Sequence, residues 1–346
     1  MPPYRLGLFT TMLMSSLLFA CASTTPGAPS ATPDEPAGPA PAAGQVQANG
    51  ITIAYESFGA PERETVLLIG GTGQQLINWP IELIEGLTER GYRVVRFDNR
   101  DIGLSTHFTE AGLPDAAAVT RALEAGEQPP LPYTLREMAA DAAGLLDALG
   151  IERAHIVGMS MGGAIAQYLA IDHPERVRSL TSVMADSGNP ALPVIARPEA
   201  FADVPPMPPA EDRQAFIEYQ VKSWMALASP ANPADEAAVR EMVQRDVDRA
   251  YDPAGLVRQQ TVTLVDRFAP GANRLSSLSA IAAPTVVLHG EDDPLVPVDA
   301  AREIAERVPG AELRIIPGLG HDIPPALVPA FVDAIDAAAT RASDAL

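Results

Sequence analysis

The sequence predicts an α/β protein: a mostly parallel central sheet with helices on both faces and a helical cap inserted between two of its strands. Three observations predict it. Apolar runs of strand length alternate with stretches of helical periodicity, those runs are continuous, and one long segment, residues 187 to 274, has helical pattern but no strand. Continuous apolar runs belong to strands buried on both faces, as in a parallel sheet covered by crossover helices.

Each element follows in order. From Gln45, "QVQANGITIAYESFG" sets two short alternating runs around an Asn-Gly pair, the strongest short-range hairpin signal, and the folded domain is expected to begin there. "TVLLIGG" reads as a buried strand, "LIEGLTERG" as a helix and "YRVVRFD" as a second strand. A Pro-rich interruption spans residues 112 to 133. Beyond it, "LREMAADAAGLLDALG" has apolar residues at helical spacing and stops at Gly150. "RAHIVGMS" runs from strand into turn, "MGGAIAQYLAID" is helical up to His173-Pro174, and "VRSLTSVM" is another strand. The cap follows, with helical stretches at "RQAFIEYQVKSWMALA" and "DEAAVREMVQRDVDRA". The rhythm then resumes with "APTVVLHGEDDP", a helix at 299 to 308, "AELRIIPGLGH" and a last helix near 325 to 341. The core is thus expected in two parts, 45–186 and 275–346, separated by the cap at 187–274.

With 346 residues, 47% hydrophobic and 20% charged, the chain can bury a sizeable core. A formal net charge of -20 argues against nucleic acid and against an anionic membrane surface as electrostatic partners, and repels acidic substrates at long range. The single cysteine, Cys21, rules out an internal disulfide and a thiolate metal cluster. No grouping of His, Asp and Glu has metal-ligand spacing, so neither a metal nor a cofactor is expected.

Residues 1–21 read as a secretory signal: Arg5, then "LGLFTTMLMSSLLFA", shorter than the ~20 residues of a spanning helix. "LFAC" resembles the cleavage-and-lipidation box of bacterial lipoproteins, which implies an exported chain anchored to the membrane through acylated Cys21. Phe19 departs from that box, where a small residue is usual. The alternative is cleavage after Ala22, through the Ala20-x-Ala22 pattern, giving a soluble exported protein. Residues 22–44, rich in Pro and Ala, read as a flexible tether.

The chemistry centres on "GMSMGG". Ser160 falls where a strand ends and a helix begins, the context in which a Gly-x-Ser-x-Gly turn exposes a nucleophilic hydroxyl. Such a serine needs a base within hydrogen-bond reach, itself oriented by a third group. Of the five histidines, His155 lies in mid-strand, His173 at a helix end, His107 on the loop into the Pro-rich stretch and His289 at a strand end. His321 follows a strand through "PGLG", at the carboxyl end of the sheet where α/β sites collect, and is the expected base. For the acid, "HGEDDPLVP" offers Asp293 ahead of Asp292, with Asp186 as an outside candidate. The order Ser160, Asp293, His321 is that of the α/β-hydrolase triad.

From about residue 45 to 341 the chain resembles an α/β-hydrolase with a helical cap. "FDNRDIGLS" is similar to the family's D-x-R-G-x-G-x-S loop, with Asp101 where glycine is commoner, while "GEDDPLVP" and "GLGH" match its acid and histidine loops. Within the family, "LLIGGTGQQLINWP" and "RFDNRDIGLST" most resemble aclacinomycin methylesterase-like esterases. The resemblance implies an oxyanion hole in which "GGTG" replaces a His-Gly loop, so that the amides of Thr72 and Met161 are the donors. It implies hydrolysis of a small-molecule ester through an acyl-enzyme, with thioesterase, amidase or peptidase, perhydrolase and acyltransferase chemistry as alternatives on the same triad. A catalytically silent, envelope-bound binding module is the alternative of another class. Trp224, Met225 and Phe216 of the cap are expected to roof the substrate, or else to pack cap against core.

Overall fold

The structure, a computed structural model, describes residues 42–271 and 274–343. Cys21, the signal sequence and the tether up to residue 41 lie outside the described residues. No helix among the described residues is long and apolar enough to cross a membrane.

Eight strands form one sheet in the order β1-β2-β4-β3-β5-β6-β7-β8. Strands β3 (Thr65–Ile69), β4 (Arg93–Phe97), β5 (Ala154–Met159), β6 (Val177–Val183), β7 (Thr285–Gly290) and β8 (Glu312–Ile316) run parallel. The hairpin β1 (Ala42–Ala48) and β2 (Ile51–Phe58) adds the antiparallel edge. Its turn has φ of 46° at Asn49 and 78° at Gly50, the pair of positive values a type I′ turn requires. The first strand begins at Ala42, ahead of the expected start at Gln45. Ala42, Ala43 and Gly44 pair with Ser57, Glu56 and Tyr55.

Period-two alternation explains the continuous apolar runs, since each parallel strand serves two cores. Leu67 and Ile69 of β3 face a cluster with helices α3 (Leu135–Ala148), α4 (Met161–Asp172) and α8 (Val298–Arg307). Val66 and Leu68 face the other side, against α1 (Ile81–Glu89) and α9 (Val328–Ser343). The Pro-rich stretch holds a helix that the sequence reading did not contain, α2 (Ala116–Ala125). Asp115 caps it by accepting from Ala118 N at 3.0 Å, and Gly126, at φ 71°, ends it. The prolines flank this helix and do not interrupt it.

Between β6 and β7 lie the cap helices α5 (Arg213–Leu227), α6 (Glu236–Arg249) and α7 (Pro253–Asp266). Phe216, Ile217 and Val221 of α5, Val243 and Val247 of α6, and Leu256 of α7 form a core of their own. An ion pair with almost no solvent access fastens this layer to the sheet. Arg258 donates from Nε and Nη2 to the two oxygens of Asp101, at 2.8 and 2.7 Å, and Tyr133 Oη donates to the same carboxylate at 2.6 Å. Asp101 has φ of 69°, a conformation that favours glycine and that aspartate tolerates better than most residues. That accounts for a carboxylate at a position of glycine-like backbone: its strain is offset by two-pronged pairing with the cap.

Candidate active site

Ser160 stands between β5 and α4 with φ 55° and ψ -122°. A non-glycine residue held there costs on the order of 1–3 kcal/mol and persists only where its surroundings fix it. Ser160 N–H donates to Val183 O at 2.9 Å, and Ser160 O accepts from Gly163 N at 2.9 Å. The outer glycines of the motif are required by contact. A Cβ on Gly158 would lie 2.1 Å from Gly162 O, and one on Gly162 would lie 2.0 Å from Ile69 O.

Asp293 follows β7 and is 2% exposed. Its Oδ1 accepts from Leu295 N and Val296 N, each at 2.8 Å, and its Oδ2 accepts from His321 Nδ1 at 2.6 Å. Burial alone would raise this carboxyl. The charge of His321, with hydrogen bonds from His289 and His321, outweighs burial and holds it well below the usual carboxylate range. Asp292 turns away, pairing with Arg197 at 2.7 Å and accepting from Gly318 N. Asp186 accepts from Gly188 N at 2.5 Å and lies 3.4 Å from Arg267 and 3.5 Å from Arg274. Of the three acids, Asp293 is the one that meets His321.

His321, 3% exposed, has its Nε2 buried without a hydrogen-bond partner among the described residues. Ser160 and His321 line the same cavity of about 710 Å³, enclosed between the carboxyl ends of the strands and the cap. An unpaired buried nitrogen costs free energy unless something uses it, and a free enzyme often keeps such a bond open until substrate arrives.

The loop after β3 brings Thr72 to this cavity. Gly71 N–H is taken by Gln74 Oε1 at 2.6 Å and Gly73 N–H by Gln259 Oε1 at 2.9 Å. Thr72 N–H, between them, has no protein acceptor among the described residues. Met161 N–H opens α4, where the first helical amides have no intrahelical acceptor. The two amides expected to bind an oxyanion therefore border the cavity unoccupied by protein groups. Gln259 was not singled out in the sequence, because an amide accepting from a loop 186 residues away leaves no local pattern, whereas Gln74 accepts from a residue only three positions before it.

The cap contributes Tyr219, Gln220, Ser223, Trp224 and Leu227 to the cavity, one stripe of α5 at helical spacing. Trp224 lines the cavity and also packs against the cap's core. Phe216 and Met225 do not reach the cavity and pack in the cap's own core. Met225 sits about 100° around the helix from Trp224 and so faces α6 and not the substrate space.

The remaining histidines are engaged elsewhere. His155 meets Ser179 at 2.9 Å, and His289 meets Val296 O at 3.0 Å while its Nε2 also lies 3.3 Å from Asp293 Oδ2, behind the triad. His107, Asp101 and Asp252 lie close enough to suggest a metal site. Their atoms are already committed, however: Asp101 to Arg258 and Tyr133, and Asp252 to His107 at 2.7 Å and Gly255 N at 3.0 Å. With Arg258 supplying the positive charge, the cluster reads as cap-to-core fastening.

Residues 64–324 match the model of a family described as alpha/beta hydrolase fold. Rhodomycin D methylesterase DnrP of Streptomyces peucetius is 31% identical over 312 residues, covering 85% of this chain and 96% of the relative. Rhodomycin D methylesterase DauP of Streptomyces sp. (strain C5) is likewise 31% identical, over 315 residues with the same coverage. Among solved structures, the enol-lactonase from Burkholderia xenovorans LB400 superposes with a TM-score of 0.63 at 22% identity, over 86% of this chain and all of that one, a likeness of fold.

Proposed function

The chain belongs to the alpha/beta hydrolase family, and from that premise we propose that it cleaves carboxylic esters with Ser160 as nucleophile, His321 as general base and acid, and Asp293 as the group that orients His321. One observation carries the reading. A strained serine and a histidine whose far nitrogen is buried and unpaired open onto one cavity, while the near nitrogen is fixed on a carboxylate held ionised.

In this mechanism Ser160 Oγ attacks the ester carbonyl as His321 Nε2 takes its proton. Asp293 fixes the imidazole with Nδ1–H toward itself and stabilises the imidazolium that forms. The developing oxyanion is received by the amides of Thr72 and Met161, donors already in place that need no reorganisation. The alcohol departs with the proton from Nε2, and water, deprotonated by the same nitrogen, releases the acid and restores Ser160.

The substrate we propose is a small alkyl ester of a bulky, mainly apolar acid. The methylesterase names of two relatives support this, as does a cavity far larger than an acetyl group needs. The decisive experiment is labelling of the full chain with a fluorophosphonate probe beside Ser160→Ala, followed by turnover of methyl and p-nitrophenyl esters. Loss of both labelling and turnover in the variant is the expected result. An unlabelled, folded wild type overturns the reading and favours a silent binding module.

We also propose that the chain is exported and anchored through acylated Cys21, on the strength of the "LFAC" box and the apolar segment before it. Several acyl chains would hold it durably on a membrane, where one would not. Intact-mass analysis of membrane-derived protein tests this, and a mature, unlipidated chain beginning at Ser23 refutes it.

A further inference from the structure

The loop that carries His321 is bonded to the cap on both sides of the histidine. His321 N–H donates to Leu227 O at 2.8 Å, at the last residue of α5, and Ala231 N–H donates to Gly318 O at 3.2 Å. Between these contacts lies Ser229, which is fully buried. Its Oγ accepts from Gly320 N at 2.8 Å and donates to Asp322 Oδ1. The residues immediately before and after His321 are therefore tied to one hydroxyl. A hydroxyl can do this because it offers a proton and lone pairs at the same atom. The fit is close, since a Cβ on Gly320 would stand 2.6 Å from Leu227 O and one on Gly318 would stand 2.4 Å from Ala231 Cβ.

We propose that Ser229 is a positioning residue for His321, and that through it the cap, not the sheet alone, sets the approach of the imidazole to Ser160. The proposal rests on the esterase reading for its catalytic consequence and on geometry for its structural one. α5 lines the cavity with Trp224 and Leu227 and ends at the bond to His321 N–H. Contact between substrate and this face is thus transmitted along one rigid helix to the base. The loop of the acid is also bonded to the cap segment, Ala196 N–H and Arg197 N–H donating to Leu295 O and Pro294 O at 3.0 and 2.8 Å, but by a stretch ahead of α5, and Asp293 Oδ1 itself is held by the amides of Leu295 and Val296 on its own loop.

The test compares the full chain with Ser229→Ala and with Ser229→Thr, which keeps the hydroxyl. Two readouts are taken: steady-state kinetics on p-nitrophenyl acetate, and the downfield proton resonance of His321 Nδ1–H on Asp293. In Ser229→Ala, kcat is expected to fall about ten- to a hundredfold, because displacements near 1 Å have that effect, with KM within about twofold and the resonance shifted or broadened. Ser229→Thr is expected to retain both. Wild-type kcat and resonance in folded Ser229→Ala overturn the proposal, as does a folded Ser229→Thr damaged equally. Should Ser229→Ala not fold, Asp322→Asn, which removes the charged acceptor, is expected to move the resonance, and an unmoved resonance overturns the proposal. A wild type without esterase activity refutes the esterase reading, and the resonance then decides the positioning role by itself.

Discussion

Asp293 carries more than any other side chain in the site: two backbone amides on one oxygen, and on the other the imidazole of His321 at 2.6 Å with that of His289 at 3.3 Å, at almost no exposure. In Asp293→Asn the oxygen toward Leu295 and Val296 keeps its bonds, so the loop is expected to stay in place. The other side would become an NH₂ group, which cannot accept from Nδ1–H and so forces the wrong tautomer on His321. We expect kcat to fall by about 10³–10⁴ with the fold intact, checked by turnover and circular dichroism. Stability has its own signature. The folded carboxyl is depressed, so its contribution is fully present above the unfolded value of about 3.9 and is lost as pH falls through the lower folded value. The stability gap between wild type and Asp293→Asn in urea melts should therefore be full at neutral pH and close only in acid below about pH 4. A gap independent of pH would show that the carboxylate is not held ionised by its partners.

The joint between α6 and the loop after β3 titrates in the opposite sense. Asn78 Nδ2 donates to both oxygens of Asp246, at 2.9 and 2.8 Å, and Gln75 Nε2 donates to Asp246 O at 2.7 Å. Burial pushes this carboxyl up to about 7, against the opposing effects of Asn78 and the charges of Arg245 and Arg249. A raised folded value means stability that is fully present below about 3.9 and lost as pH rises through 7. Discounted for the water that reaches the group, wild type should lose about 1–3 kcal/mol between pH 5 and pH 8 that Asp246→Asn does not lose. Thermal melts of both proteins at the two pH values check it, and parallel behaviour refutes it. Joints of this kind were not legible in the sequence, whereas the strands and longer helices were. Continuous apolar runs and the Asn-Gly turn are local signals, and they mark β2 to β8 and α3 directly. Helix α2 was hidden by the prolines around it, and the first three residues of β1, Ala42 to Gly44, by a composition shared with the tether. Phe216 and Met225 stayed open between roof and packing for a related reason: an apolar residue on a cap helix has two surfaces to cover, and only the partner helix says which it takes.

Across the whole molecule, the site residues were legible in proportion to how local their geometry is. Ser160 is fixed by its own turn, and Asp293 and His321 by strand ends, so three short motifs brought together one constellation. Gln259, Arg258 and Ser229 act across 186, 157 and 91 residues of chain, and nothing in their neighbourhoods announces it. The net charge of -20 is a property of the same scale, with its own consequence for the proposed reaction. At a distance the molecule repels an anionic ester and lowers its encounter rate. Inside the cavity the ionisable wall is different, with Arg267 and Arg274 beside Asp186. Salt separates the two fields, because the Debye length falls from about 10 Å at 0.1 M to about 3 Å at 1 M, while the enclosed groups are screened far less. If the global field governs access, kcat/KM for an ester with a remote carboxylate should rise with salt relative to an uncharged ester of the same shape. The expected ratio grows about two- to tenfold between 0.01 M and 0.5 M salt. A ratio that falls instead would show that the guanidinium groups of the cavity wall, and not the charge of the whole molecule, decide which esters enter.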